Sequence, residues 1–361
     1  MLDTFKPLYI WLTILGFFPY WLKYNKIKAK YEIFPKSIYL NILCAMLLLG
    51  VLGGFSIIFV MDLFQPKQID EFGLISTFNM FMEQFAFIIV VFTGYFCSYF
   101  YRSEYVKVLN CLNATFRDLP FCSNQVILKT LSFNMNIVTG IVAFVIIIQT
   151  VVNFMRPVLW WDFMMTAICY NLAQTLQVSH FALYYVLILI LACSLSNVQN
   201  HIKQISKDME TYGQLYVSIV FAKERINEMF QVPLLISILQ CFHSMVAETH
   251  YFYHQFAMSK EVALHRMVNS SIWALYQLGK IAALASSGYL LNLRVSTFSF
   301  WDQRFLRLLQ IQHFTSLIKK RQFEVTVYGL FPIDSTLLYN VIAAAAMYII
   351  ILVQFDSEEE T

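Results

Sequence analysis

Long runs without charge constrain the fold of this chain more than any other feature. Residues 37–61 and 131–155 carry no charged side chain. Residues 72–101 hold only Glu83, 267–293 only Lys280, and 163–202 only the imidazoles of His180 and His201. A hydrocarbon layer about 30 Å thick is crossed by about 20 helical residues at 1.5 Å each. Each of these runs is long enough, as are 229–247, extended through mixed sequence to about Phe256, and 337–355. The reading is an all-α membrane protein with seven transmembrane helices. Composition agrees, since 59% of the 361 residues are apolar and 13% charged, against about 45–50% and 25% in soluble chains. A further apolar stretch, 8–22, is too short and is interrupted by Gly16 and Pro19. It reads as an interfacial or re-entrant segment rather than a signal peptide.

The basic residues orient the bundle. Lys6, Lys23, Lys26, Lys28, Lys30 and Lys36 precede the first span, and Arg102, Lys107, Arg117 and Lys129 follow the second. Lys203, Lys207, Lys223 and Arg225 lie between the fourth and fifth, while Arg294, Arg304, Arg307, Lys319, Lys320 and Arg321 follow the sixth. The alternate loops have only Lys67, Arg156, Lys260 and Arg266. Twenty against four puts the N-terminus in the cytosol and, after seven crossings, the C-terminus outside. That is the reverse of a G-protein-coupled receptor, and no Asn-Pro-x-x-Tyr motif ends the seventh span. The sequon at Asn113 then lies unused in the cytosol, and that at Asn269 lies too near the bilayer.

The expected organisation is a cytosolic N-terminus over 1–36 with its re-entrant segment and six spans over 37–293. A cytosolic helical anchor region follows over 294–336, then a seventh helix over 337–355 and an extracellular acidic tail over 356–361. Phe305, Leu308, Leu309, Gln312 and His313 recur at helical spacing in the anchor region, the pattern of a helix packed on partner helices. A net charge of +3 implies no nucleic-acid partner. The seven cysteines show no metal-ligand spacing, and their odd number speaks against a paired disulfide framework. They read as small buried apolar side chains.

The C-terminal helix carries a motif. Tyr348 is followed by five apolar residues and then Gln354-Phe355, and Gly329-Leu330-Phe331-Pro332-Ile333-Asp334 leads into the helix. In these segments, about the last 30 residues, the chain resembles the insect gustatory receptor family of the insect chemoreceptor superfamily. Met347 stands where that family usually has Thr. The resemblance implies a ligand-gated, poorly selective cation channel of four subunits, a homotetramer or a heterotetramer with other gustatory subunits. It would sit in the plasma membrane of a chemosensory neuron and bind a small tastant. Seventh helices would line the pore, with Gln354 and Phe355 at its constriction, Ile351 within it and Tyr348 supporting the helix lower down. The short chain and Met347 favour the bitter-type group over sugar receptors. No metal, cofactor or catalytic residue is implied. The tail residues Asp356, Glu358, Glu359 and Glu360 would concentrate cations at the outer mouth.

The resemblance also implies an outward-facing ligand cavity within each subunit. Candidates are the polar and aromatic residues of the outer half-spans: Glu83 and Gln84 in the second, Gln149 and Asn153 in the third, and Trp161, beside Trp160, in the fourth. His243 and His250, with His254, share a face of the fifth, and Trp273, Tyr276 and Gln277 decorate the sixth. Intramembrane carboxylates are costly and usually functional, although Glu83 also suits a structural pair with Lys280. Two rivals are a transporter using Glu83 and Lys280 as coupling charges, and a di-iron enzyme using His250-x-x-x-His254. The remaining histidines form no further box.

Overall fold

Apolar runs surrounded by lipid must satisfy their own backbone groups, and helices do this within one segment. The computed structural model describes residues 2–17, 21–25, 28, 30–34, 38–63, 67–117, 121–154, 160–204, 209–257, 264–309 and 325–359, with some side chains near helix ends left out. The helices are α1 (Leu2–Ile14), α2 (Ile38–Leu63), α3 (Lys67–Phe100), α4 (Arg102–Arg117) and α5 (Phe121–Phe154). They continue as α6 (Trp160–Gln204), α7 (Met209–Ala257), α8 (Leu264–Leu309) and α9 (Ser335–Glu359). Two antiparallel hairpins break the all-helical expectation. Strand β1 (Trp21–Asn25) pairs with β2 (Lys30–Phe34), with Lys23 opposite Glu32. Strand β3 (Thr326–Val327) pairs with β4 (Phe331–Pro332), with Val327 opposite Phe331.

The core of each of the seven apolar runs is helical, and several helices run well beyond them. Helix α7 begins at Met209, so Lys223 and Arg225, expected in a loop, are helical. The cause is tertiary: α4 buries Tyr105, Val108, Leu109, Leu112 and Phe116 along one face and packs on α7. Arg225 approaches Glu104 at 3.7 Å. Helix α8 runs on to Leu309, so Phe305, Leu308 and Leu309 extend it instead of starting a separate helix. Gln312 and His313 lie outside the described residues. Helix α9 runs through Asp356 to Glu359, since a formed helix adds turns at little cost.

Among the described residues, six helices contain a window long and apolar enough to cross a membrane: α2, α3, α5, α6, α7 and α9. Helix α8 is as long, but Ser270, Gln277, Lys280 and Ser287 dilute its hydropathy. All four are buried among neighbouring helices, so their polarity is hidden from the surroundings of the bundle. Helix α6 is the central pillar, with 83% of its window buried against 17% for α5. The outer faces of α2 and α5 expose Met46, Leu49, Phe133, Phe144 and Ile147.

The N-terminal segment also enters the core. Leu8 and Leu12 of α1 and Leu15 just after it are buried, and Gly16 turns the chain with φ +80°. The Tyr95 hydroxyl donates to the Leu15 carbonyl at 2.7 Å, and Trp11 Nε1 donates to Ser179 Oγ at 3.0 Å. The β1–β2 hairpin docks on α4 through Asn110, which bonds both the N–H and the carbonyl of Tyr31 at 2.6 and 3.0 Å. Burial raises the Cys111 thiol above its ordinary pKa, and its Sγ donates to the Ser218 carbonyl. The six described cysteines are free.

The approach to α9 is fixed by local chemistry. Tyr328 and Gly329 both take positive φ in the β3–β4 turn, which the glycine tolerates without strain. Asp334 caps α9, its Oδ1 accepting from the Thr336 N–H at 2.8 Å and from the Thr336 hydroxyl at 2.6 Å. Beside this turn, Gly288 of α8 lies against the Ile333 carbonyl, where a Cβ would collide with it. A methyl group at Gly279, on the same helix, meets nothing within 4 Å. Gly288→Ala is therefore expected to cost about 1–3 kcal/mol by overpacking. Gly279→Ala is expected to be neutral or to gain up to about 1 kcal/mol from helix propensity. Thermal melts in nanodiscs compare the two, and the opposite order contradicts this packing.

Candidate functional site

A polar cluster occupies the interior where α3, α6, α7 and α8 meet. Its members lie about four turns in from the end of the bundle that carries the α7–α8 connection. Lys280 of α8 is 6% exposed, and an ammonium in such a place must be hydrogen-bonded. It donates to Gln174 Oε1 at 2.7 Å and to Gln177 Oε1 at 2.6 Å, both on α6. It also sits 4.9 Å from the Tyr276 ring centroid, a cation–π distance. Gln177 passes the link on, its amide donating to Gln240 Oε1 of α7 at 2.8 Å. One lysine thereby ties α8 to α6 directly and to α7 through a single glutamine.

A second chain of bonds lies beside the first. Gln277, one turn before Lys280, donates from Nε2 to Ser244 Oγ at 3.2 Å. The Ser244 hydroxyl in turn donates to Glu83 Oε1. Glu83 and Lys280 make no direct ion pair among the described residues, so the expected pairing is replaced by two parallel polar chains. On the α8 side Trp273 stacks on Tyr276, with centroids 5.5 Å apart. The aromatic pair leads from the α8 start toward the ammonium.

The structure thus brings together Glu83, Tyr276, Gln277 and Trp273. Gln84 is buried on α3. His243 Nε2 lies 3.3 Å from the Asn79 carbonyl oxygen, while His250 is buried two turns further along α7. The side chains of Gln149, Asn153, Trp161 and His254 lie outside the described residues. Sequence reasoning did not pick Gln174, Gln177, Gln240 or Ser244 as site residues. Their signal was available: Gln174, Gln177 and His180 recur every three residues in an otherwise apolar helix, and Gln240 and Ser244 are four apart. Among the described residues no group of three His, Cys, Asp or Glu side chains could hold a metal ion.

A second arrangement lies on α9. Leu337, Val341, Ala345 and Leu352 are buried, packed toward α7 and α8. Thr336, Asn340, Ala343, Met347, Ile350 and Gln354 recur at alternating intervals of four and three, which places them on the opposite face. All six are exposed. Ile351 flanks this stripe, and Tyr348 lies nearer the packed edge, with 44% and 46% exposure. The side chain of Phe355 lies outside the described residues.

Known proteins share both the sequence pattern and the fold of this helical bundle. Residues 5–359 match the sequence profile of the 7tm chemosensory receptor family. The chain belongs to that family. Two solved structures of the insect olfactory receptor OR5 from Machilis hrabei share its fold. The one in complex with eugenol aligns with a TM-score of 0.73 at 12% identity over 97% of each chain. The other gives 0.72 at 13% identity, also over 97% of each. No curated protein sequence matches the chain.

The cluster predicts a coupled energetic response. Lys280→Met leaves the Gln174 and Gln177 oxygens without their donor, which costs about 1–3 kcal/mol for buried acceptors. Adding Gln177→Leu removes one of those acceptors. The double variant should then lose less than the sum of the singles by about 0.5 kcal/mol or more. Unfolding measurements on the cycle in bicelles check this, and strict additivity contradicts the clamp.

Proposed function

We propose that this chemosensory receptor is a gustatory receptor acting as a ligand-gated, poorly selective cation channel. Four copies would surround a pore lined by α9, in the plasma membrane of a chemosensory neuron. The observation that carries the reading is the exposed α9 stripe. A face meant for lipid has no use for Thr336, Asn340 and Gln354 in register, because polar side chains turned to hydrocarbon give up their hydration. Facing a water-filled axis removes that cost. The same face carries no charge over 335–354, so permeation would depend on amides, hydroxyls and pore width. Gln354 and Phe355 would form the constriction, with Ile351 beside them and Tyr348 supporting the helix from its flank.

The orientation follows from the charges. The β1–β2 hairpin packs on α4, and α4 packs on the N-terminal part of α7. Lys23, Lys28, Lys30, Lys107, Lys223 and Arg225 therefore collect at one end of the bundle. By the positive-inside rule that end is cytosolic, which leaves the α7–α8 end outside. A small tastant would enter there and meet Trp273 and Tyr276, with Gln277, Glu83 and Lys280 below. The ligand is proposed to be of the bitter type, with aromatic contacts dominating. A sugar-sensing receptor is the second reading, favoured by the number of amides in the cluster.

Recording from cells that express the chain, alone and with candidate co-receptor subunits, tests this with a panel of bitter compounds and sugars. Ala343→Cys, Met347→Cys and Ile350→Cys channels should lose most of their evoked current on treatment with a charged methanethiosulfonate reagent. Val341→Cys and Ala345→Cys channels should keep theirs. Uniform insensitivity along the stripe contradicts the pore assignment.

A further inference from the structure

His180 of α6 presents a physical problem that the polar cluster does not solve. The side chain is 3% exposed, and among the described residues neither ring nitrogen has a hydrogen-bond partner. Its ring lies between Phe17, with centroids 5.3 Å apart, and Phe230, at 4.9 Å. The phenyl rings cover the imidazole without offering it an acceptor. Gln177, one turn earlier, is committed to Lys280 and Gln240. A neutral imidazole carries one donor and one acceptor, and each left dry costs about 1–3 kcal/mol.

A void adjoins the ring. It measures about 10 Å³ and is lined by His180, Gln177, Ser237, Pro233, Phe17 and Gly94, among others. That volume is about the least that admits one water. Apolar cavities of this kind stay dry, but this one has an imidazole, an amide and a serine in its wall. Pro233 adds a further deficit, because it brings no N–H to α7 and so cannot bond back to the Met229 carbonyl. Gly94 also lines the void, and a Cβ there would press on Phe17 Cε1 at 3.3 Å.

We propose that this void is a hydration site in which one water, hydrogen-bonded to His180, sits at the Pro233 position of α7. The water accepts from the imidazole N–H or donates to the bare nitrogen, whichever faces it. The site lies beyond Gln177 from the Lys280 cluster and takes a molecule of water's size and dual hydrogen-bonding character. Because a proline weakens the helix where it sits, an exchangeable water allows α7 to flex there without stranding the imidazole.

Hydroxyl-radical footprinting of the intact chain in nanodiscs, with radicals generated by X-rays in H₂¹⁸O, tests this directly. Bound water makes radicals in place. His180 and Phe230 should therefore take up ¹⁸O several-fold faster than Phe55 and Phe87, which are equally buried. His180→Phe fills the void and should reduce labelling of Phe230 to the level of Phe87. The wild-type comparison is decisive by itself if that variant does not fold. Protection of His180 and Phe230 equal to that of Phe87 overturns the proposal, and so does a high-resolution map in which His180 bonds to protein groups and the void is dry.

Discussion

Lipid offers no hydrogen-bond partner, and the placement of the buried polar side chains of α6, α7 and α8 answers to that constraint. Helices α2 and α5 turn methionine, leucine, isoleucine and phenylalanine outward. Helices α6, α7 and α8 turn glutamine, serine and lysine toward one another, where each can find a partner. The Lys280 ammonium is the most demanding of these groups. Its two glutamine acceptors fix how α8 lies on α6, and Gln177 extends the constraint to α7. Interhelical hydrogen bonds in membranes are worth about 0.6 kcal/mol on average. The larger effect here comes from what an ammonium costs when its partners are missing.

Helix α9 departs from the pattern in an informative way. It packs through Leu337, Val341, Ala345 and Leu352 and leaves the face with Thr336, Asn340 and Gln354 open. A polar stripe in register along the outer face of α9 is the feature on which the proposed pore rests. The seat of α9 is rigid: Asp334 caps its first turn, and the Ile333 carbonyl occupies the space that Gly288 leaves. Gly288 and Lys280 share α8, about two turns apart. The polar cluster and the seat of α9 are thus carried on one helix.

Much of this was legible in the sequence. Seven apolar runs, nearly free of charge, located the core of seven helices, because a helix satisfies its own backbone within one segment. The extensions of α7 and α8 were not legible, because charged turns look like loops until a neighbour such as α4 is known to bury their other face. The candidate site divides the same way. Glu83, Trp273, Tyr276 and Gln277 stood out as polar or aromatic residues in apolar runs. Gln174 and Gln177 carried the same signal but were lost in the longest run. The pairing of Glu83 with Ser244 depends on packing, which no spacing within one helix encodes.

In the proposed channel α9 faces other copies of the chain across a shared axis, an arrangement open to cysteine cross-linking in native membranes. With other reactive cysteines removed, Met347→Cys should form covalently linked copies under mild oxidation. Leu49→Cys on α2 and Phe144→Cys on α5 should remain monomeric under the same conditions. Cross-linking through α2 or α5 with none through α9 would contradict that arrangement.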